Sequence, residues 1–175
     1  VTPSPIVDAE IVNEDEMHLT EEIQNLRHEY DFIIIDTPGT FNYLSTAGHN
    51  NADILITPIN DSLIDLDVLA HVDVETRHIK EPSHYAELVW DIKKYRSQKR
   101  MSALKWFIVR NRLSFLKSKN RKLIDSLLDE LAPRLDFKIV PGLSERIIYR
   151  EMFLDGLTLF DLNSLDESFE MSLSH

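Results

Sequence analysis

Four short runs of consecutive apolar residues punctuate the chain. They are separated by longer stretches in which apolar positions recur every three or four residues. The runs are Asp31-Phe32-Ile33-Ile34-Ile35-Asp36, Ala52-Asp53-Ile54-Leu55-Ile56-Thr57-Pro58, Lys105-Trp106-Phe107-Ile108-Val109-Arg110 and Phe137-Lys138-Ile139-Val140-Pro141. β-Branched runs without polar alternation predict strands covered on both faces, as in parallel sheets. The stretches between them predict helices over residues 17–29, 84–98, 115–135 and 144–153. In the first, Leu19, Ile23 and Leu26 share a face, and Thr20, Glu21 and Glu22 suit the opening turn. In the third, Leu116, Leu123, Ile124, Leu127, Leu128, Leu131 and Leu135 make an apolar stripe. Strands alternating with long crossovers predict a doubly wound α/β domain, its sheet mostly parallel and its helices on both faces. Residues 1–16, rich in Pro and acid, read as a loop or linker. Residues 17–162 read as one domain, and 163–175 as the opening of a further segment.

Composition narrows the classes. With 175 residues, 43% of them apolar, the chain is long enough to bury a real core. No apolar run approaches the ~18 residues of a membrane span, and residues 1–16 lack the blocks of a secretory signal. The absence of cysteine excludes disulfides, thiol catalysis and zinc–thiolate sites, and fits a cytoplasmic protein. The net charge of −11 conceals a segregation: residues 93–122 hold 12 of the 19 Lys and Arg and no acid. Such a segment is either a surface for a polyanion or a solvated basic helix face.

In a doubly wound sheet the ligand site lies at the carboxyl ends of the strands. The residues leaving the first run are Asp36-Thr37-Pro38-Gly39, the form of a Walker B strand entering a switch loop. A carboxylate ending a buried strand needs a cation, and Mg²⁺ serves in P-loop enzymes. Gly39 lets backbone approach a phosphate. A plain strand-end acid followed by a Pro-Gly turn accounts for the same four residues. Asn111, leaving the third run, reads first as a turn residue or a helix cap, and second as a group for an adenine edge, because its carboxamide donates and accepts together. Pro141-Gly142, with Ser144-Glu145-Arg146, reads first as a turn into a helix and second as a wall of a base pocket. Lys117, Lys119, Arg121 and Lys122 are the candidate DNA contacts, with Lys119 and Lys122 sharing a helix face. His71 and His78 flank Asp73 and Glu75, but the spacing matches no ligand motif and reads as a loop face. Of four glycines, Gly39, Gly48, Gly142 and Gly156, none belongs to a GxxxxGK[ST] loop.

Over residues 30–162 the sequence resembles the ParA/MinD superfamily of P-loop ATPases, and within it the MipZ family of division-plane regulators. The resemblance is carried by Tyr30 through Gly39, by Thr57-Pro58-Ile59-Asn60-Asp61-Ser62 with Asp65 and Asp67, and by Pro82-Ser83-His84-Tyr85 with Val89-Trp90. Further along it is carried by Val109-Arg110-Asn111-Arg112-Leu113, Asn120-Arg121-Lys122, Pro141-Gly142-Leu143 and Ile148-Tyr149-Arg150-Glu151. The resemblance implies the C-terminal part of a P-loop NTPase domain that binds ATP and Mg²⁺ and closes into a nucleotide-sandwich homodimer. It implies non-specific binding of nucleoid DNA, a meeting with ParB, and inhibition of FtsZ polymerisation that hydrolysis resets. Asp36 and Gly39 would then be catalytic, with Asp36 holding Mg²⁺ through water. Thr37, Pro38, Asn111 and Pro141 would line the nucleotide, and Lys119 would touch DNA.

The chain departs from the family pattern in having no Walker A loop. It carries Leu123 and Ser144 where the family has DNA-contacting basic residues. It starts at Val1 without an initiator methionine and stops at His175 near what reads as a new helix, so both ends are expected to be cut. On that expectation these residues alone would be inactive, and would lack the strand at the sheet's centre. Two other functions fit the sequence: a partitioning ATPase for chromosome, plasmid or other cargo, and a non-catalytic interaction module without a P-loop.

Overall fold

A computed structural model describes residues 14–39, 42–73, 75–113, 119–154, 156–158 and 161. Its helices are α1 (Glu14–Leu26), α2 (Tyr43–Asn51), α3 (Leu63–Leu66), α4 (His84–Gln98), α5 (Lys119–Leu135) and α6 (Ile147–Leu154). Its strands are β1 (Ile54–Asn60), β2 (Ala70–Val72), β3 (Ile79–Pro82), β4 (Lys105–Asn111) and β5 (Lys138–Val140). β1, β4 and β5 form a parallel sheet in the order β1-β4-β5. Ile54 lies opposite Lys105, Asn60 opposite Asn111, and Phe107 opposite Lys138. β2 and β3 pair antiparallel, with an irregularity between His71 and Val72. The α/β class is therefore as the sequence predicts, and the parallel sheet is flanked by helices.

The core sits between this sheet and helices α4 and α5. Val89 and Ile92 of α4, Ile124 and Leu128 of α5, and Ile108 of β4 are fully buried. Each such side chain contributes roughly 1.5–3 kcal/mol through apolar burial. The expected leucine stripe is the buried face of α5, where Leu127, Leu131 and Leu135 join Ile124 and Leu128; Leu116 lies outside the described residues. α4 starts where the Ser83 side chain accepts from the Ala86 N–H at 3.1 Å, a helix N-cap.

The sequence expectation fails at residues 31–36, which form no strand. Phe32 and Ile34 are 89% and 93% exposed, while Ile33 and Ile35 are half-buried. A run that is apolar on both faces needs layers above and below and paired edges beside it. Among the described residues nothing pairs with this segment. β1 tells the same story: Leu55, Thr57 and Ile59 are buried, whereas Ile54 and Ile56 on the other face are 53% and 60% exposed. Three elements went unpredicted: α2, α3 and the β2–β3 ribbon, whose residues 71–78 had read as a loop face.

The basic segment is also less of a surface than its composition implies. Arg96 is buried, giving Nη1–H bonds to the carbonyls of Asn50 and Ala52 at 2.9 Å, and Nε–H and Nη2–H bonds to Ser102 at 2.8 Å. Lys93 Nζ donates to the carbonyls of Leu135 and Asp136 and pairs with Asp136 Oδ2 at 2.8 Å, capping the end of α5. Both α4 and α5 finish in a left-handed residue that is not glycine, Arg100 (φ 55°) and Asp136 (φ 53°). Each costs about 1 kcal/mol that a glycine would spare.

Candidate functional site

The carboxyl ends of β1 and β4 lie side by side, and the chain leaves them at Asp61 and Arg112. Arg110, the penultimate residue of β4, is only 7% exposed. Its Nη2 donates to Asp61 Oδ1 and its Nη1 to Asp125 Oδ1 of α5. Asp61 is as buried as Arg110, and Asp125 is half-exposed. Next to Asp61, Ser62 caps α3 by accepting from the Asp65 N–H at 3.1 Å.

Asn111 follows on the opposite face of the strand. Its Oδ1 accepts from the Arg112 N–H at 2.9 Å, and Arg112 itself takes a left-handed φ of 52°. Asn111 and Arg112 form one wall of a cleft of about 410 Å³. Ser144, Glu145 and Arg146 form the second wall, and Tyr149 with the exposed Phe153 and Leu154 of α6 lines its open, apolar side. A cleft of that size and mixture suits a small ligand with a flat, polar-edged ring.

Gly142 makes the two walls meet. A Cβ there would stand 2.7 Å from the Arg110 carbonyl oxygen and 2.6 Å from Leu113 Cδ1. The Arg110 carbonyl instead accepts from the Leu143 N–H at 2.8 Å, and the Leu113 N–H donates to the Leu143 carbonyl at 2.9 Å. The glycine is required for close approach, a role that its place in a turn did not reveal. Pro141, expected beside the base, is exposed and does not line the cleft.

Asp36-Thr37-Pro38-Gly39 lies elsewhere, on α2. Gly48 of α2 faces it so closely that a Cβ would be 2.7 Å from Thr37 Cγ2 and 3.3 Å from Ile35 Cγ2. Asp36 is exposed and makes no hydrogen bond or ion pair with the described residues. The expected burial of this carboxylate is therefore not met. What the structure offers is an accessible acid at the mouth of a glycine-containing loop. No described contact joins this loop to the Asn111 cleft.

A buried polar chain runs from α2 into the sheet. His49 Nδ1 lies against the Ser45 carbonyl, which only accepts, so Nδ1 is the donor of that contact. Tyr85 O–H faces His49 Nε2 at 3.5 Å, Thr57 Oγ1 meets Tyr85 at 2.8 Å, and Trp106 Nε1–H donates to Thr57 at 2.9 Å. Burial pushes the Tyr85 hydroxyl above its ordinary pKa, which keeps it a donor.

Compared with known families, the chain matches the model of the ATPase MipZ over residues 4–175. The chain belongs to the MipZ family of ATPases. No match emerges among curated proteins. Membership makes the chain a ParA/MinD relative and an ATPase at the level of the family.

The candidate DNA contacts of the basic segment, of which the MipZ resemblance marks Lys119, are only partly described. Lys122 is exposed and Arg121 half-buried on α5, while Lys117 and the Lys119 side chain lie outside the described residues. Among the described residues no cluster of three or more potential ligands gathers for a metal. Mg²⁺ binding needs no such cluster, because the ion takes one or two carboxylates and completes its shell with water and phosphate oxygens. Asp36, exposed and without a partner among the described residues, has the right chemistry for such a contact. Among the described residues no helix is long and apolar enough to cross a membrane.

Proposed function

We propose that this chain is part of a nucleotide-dependent switch in which ATP binding drives homodimerisation, retention on nucleoid DNA and inhibition of FtsZ polymerisation near ParB. Hydrolysis of ATP resets the switch. The observation that carries the nucleotide half is the cleft beside Asn111, at the exit of the central strand of a parallel sheet in a chain of an ATPase family. Asn111 would present its amide to the adenine edge, and Arg146 and Tyr149 would bound the opposite side. Asp36 would hold Mg²⁺ through water, and Thr37, Pro38 and Gly39 would form the loop that senses the terminal phosphate. The ion neutralises developing charge on the phosphoryl group. The residues' own task is to position and to keep the loop in register with α2.

Turnover also needs a phosphate-binding loop, and these 175 residues contain none. The test therefore uses the protein expressed from its whole native gene. Asp36→Ala is expected to abolish ATP hydrolysis and leave the melting temperature unchanged; undiminished turnover would refute the Walker B role. Charge reversal at Lys119 and Lys122 is expected to weaken DNA retention of the ATP-bound form and to flatten its salt dependence. Retention that is unaffected would remove Lys119 and Lys122 from the DNA surface. A gene that encodes no Walker A loop would turn the conclusion to the interaction module.

A further inference from the structure

Three parts of the candidate site meet at Arg110, and we propose that this residue positions the base cleft by acting through Asn111. The inference rests on the nucleotide function proposed above. The guanidinium is more than nine-tenths buried and holds two carboxylates from different elements, Asp61 past β1 and Asp125 on α5. One cation between two anions leaves the cluster net negative. Its Nε–H is buried without an acceptor. A contact kept for stability alone has better solutions, because apolar side chains in place of a buried ion cluster are often neutral or stabilising.

What the cluster does secure is direction. Successive strand residues face opposite sides of a sheet. A guanidinium locked at position 110 therefore fixes which way Asn111 turns. The main chain is held as well: Ile59 lies opposite Arg110, Asn60 opposite Asn111, and the Arg110 carbonyl accepts from the Leu143 N–H, next in sequence to the cleft residues Asn111 and Ser144. Asn111 Oδ1 is engaged by the Arg112 N–H, and its NH₂ makes no hydrogen bond with the described residues, so the amide is already oriented with a donor to offer. Since Asp61 begins the exit loop of β1 and Asp125 stands one turn beyond Arg121, the same guanidinium ties the base cleft to the basic helix.

The experiment measures ATP and GTP affinities by competition binding to the protein from its whole gene, with Asp125→Asn, Asn111→Ala and the two combined. Asp125 is half-exposed, so Asp125→Asn retains the fold, and a melting curve verifies this. Arg110→Met is run beside it. Asn111→Ala is expected to erase the preference for ATP. Asp125→Asn is expected to reduce it about 3- to 10-fold, the effect of one weakened hydrogen bond in the support. The double variant is expected to be no worse than Asn111→Ala, as holds when one residue works through the other. Effects that add, or a preference that Asp125→Asn leaves intact, overturn the role of Arg110 alone. A wild-type protein that binds neither nucleotide overturns the nucleotide function, and this role with it.

Discussion

Replacing Gly48 with alanine asks whether α2 holds the loop that begins at Asp36. The new Cβ would lie 2.7 Å from Thr37 Cγ2 and 3.3 Å from Ile35 Cγ2, against ordinary contacts of 3.4–4 Å. Threonine is stiff at χ1, so its methyl does not swing aside. The backbone around Thr37 must retreat by roughly 0.7 Å, and overpacking of this kind costs about 1–3 kcal/mol. Gly48 also lies inside a helix, where alanine is preferred by about 1 kcal/mol. The two terms oppose each other, leaving a net loss of about 0–2 kcal/mol. Function has no such offset. A displacement near 1 Å of a catalytic loop lowers turnover by up to about 100-fold. Urea unfolding reads the first quantity, and ATP hydrolysis by the protein from the whole gene reads the second. The expected pattern is a small stability change with a large loss of turnover. A variant stabilised by ~1 kcal/mol with unchanged turnover would show that the loop does not rest on Gly48.

Gly39→Ala makes the complementary case: nothing stands within 4 Å of a Cβ there, so stability should stay within about 0.5 kcal/mol while nucleotide binding weakens. Intact binding would show that no phosphate approaches this backbone. Arg96→Ala should cost about 1–3 kcal/mol, because it strips the carbonyls of the half-buried Asn50 and Ala52 of their donor. A loss below about 1 kcal/mol in urea would assign Arg96 to the surface charge instead. His71 should titrate above an ordinary histidine, because Asp67 accepts its hydrogen bond at 2.8 Å and adds its negative charge. The raised pKa means that this contact stabilises fully below the ordinary histidine pKa and is lost as pH rises through the folded value. An NMR titration should show the shift vanish in Asp67→Asn; a shift that persists would refute the pairing.

The sequence disclosed those elements whose own residues suffice to form them. The bounds of α4, His84–Gln98, match the expected 84–98 because Ser83 caps a run with a clear buried face. β4 was visible as four apolar or aromatic residues in succession, Trp106 to Val109, and its exit at Asn111 is where the cleft opens. α2 was invisible because Ser45, Thr46, Gly48, Asn50 and Asn51 favour turns over helices; a capping box between Asn42 and Ser45 and burial of Ala47 stabilise it instead. The β2–β3 ribbon was hidden by its strands of three and four residues, too short for a period to register. Residues 31–36 erred the other way: composition marks them as interior, but a strand exists only where partners align beside it. Arg110 and Gly142 were quoted as members of strand-exit motifs, yet their roles depend on Asp61, Asp125 and Leu113, whose proximity no linear pattern announces. Two opposite charges each closing an apolar run, Asp61 and Arg110, were the one available hint.

Because Arg96 grips the carbonyls of Asn50 and Ala52, α2 has a pivot at its far end, whereas its near end is held by the Asn42 cap just past the Asp36–Gly39 loop. A helix of 9 residues is about 13 Å long. A shift of about 2 Å where the loop enters therefore becomes a tilt of roughly 9° and almost no translation at the pivot. His49 rides that lever near its fixed end, so a tilt would turn its ring only slightly against Tyr85, and the sheet would receive the loop's movement geared down into a small rotation.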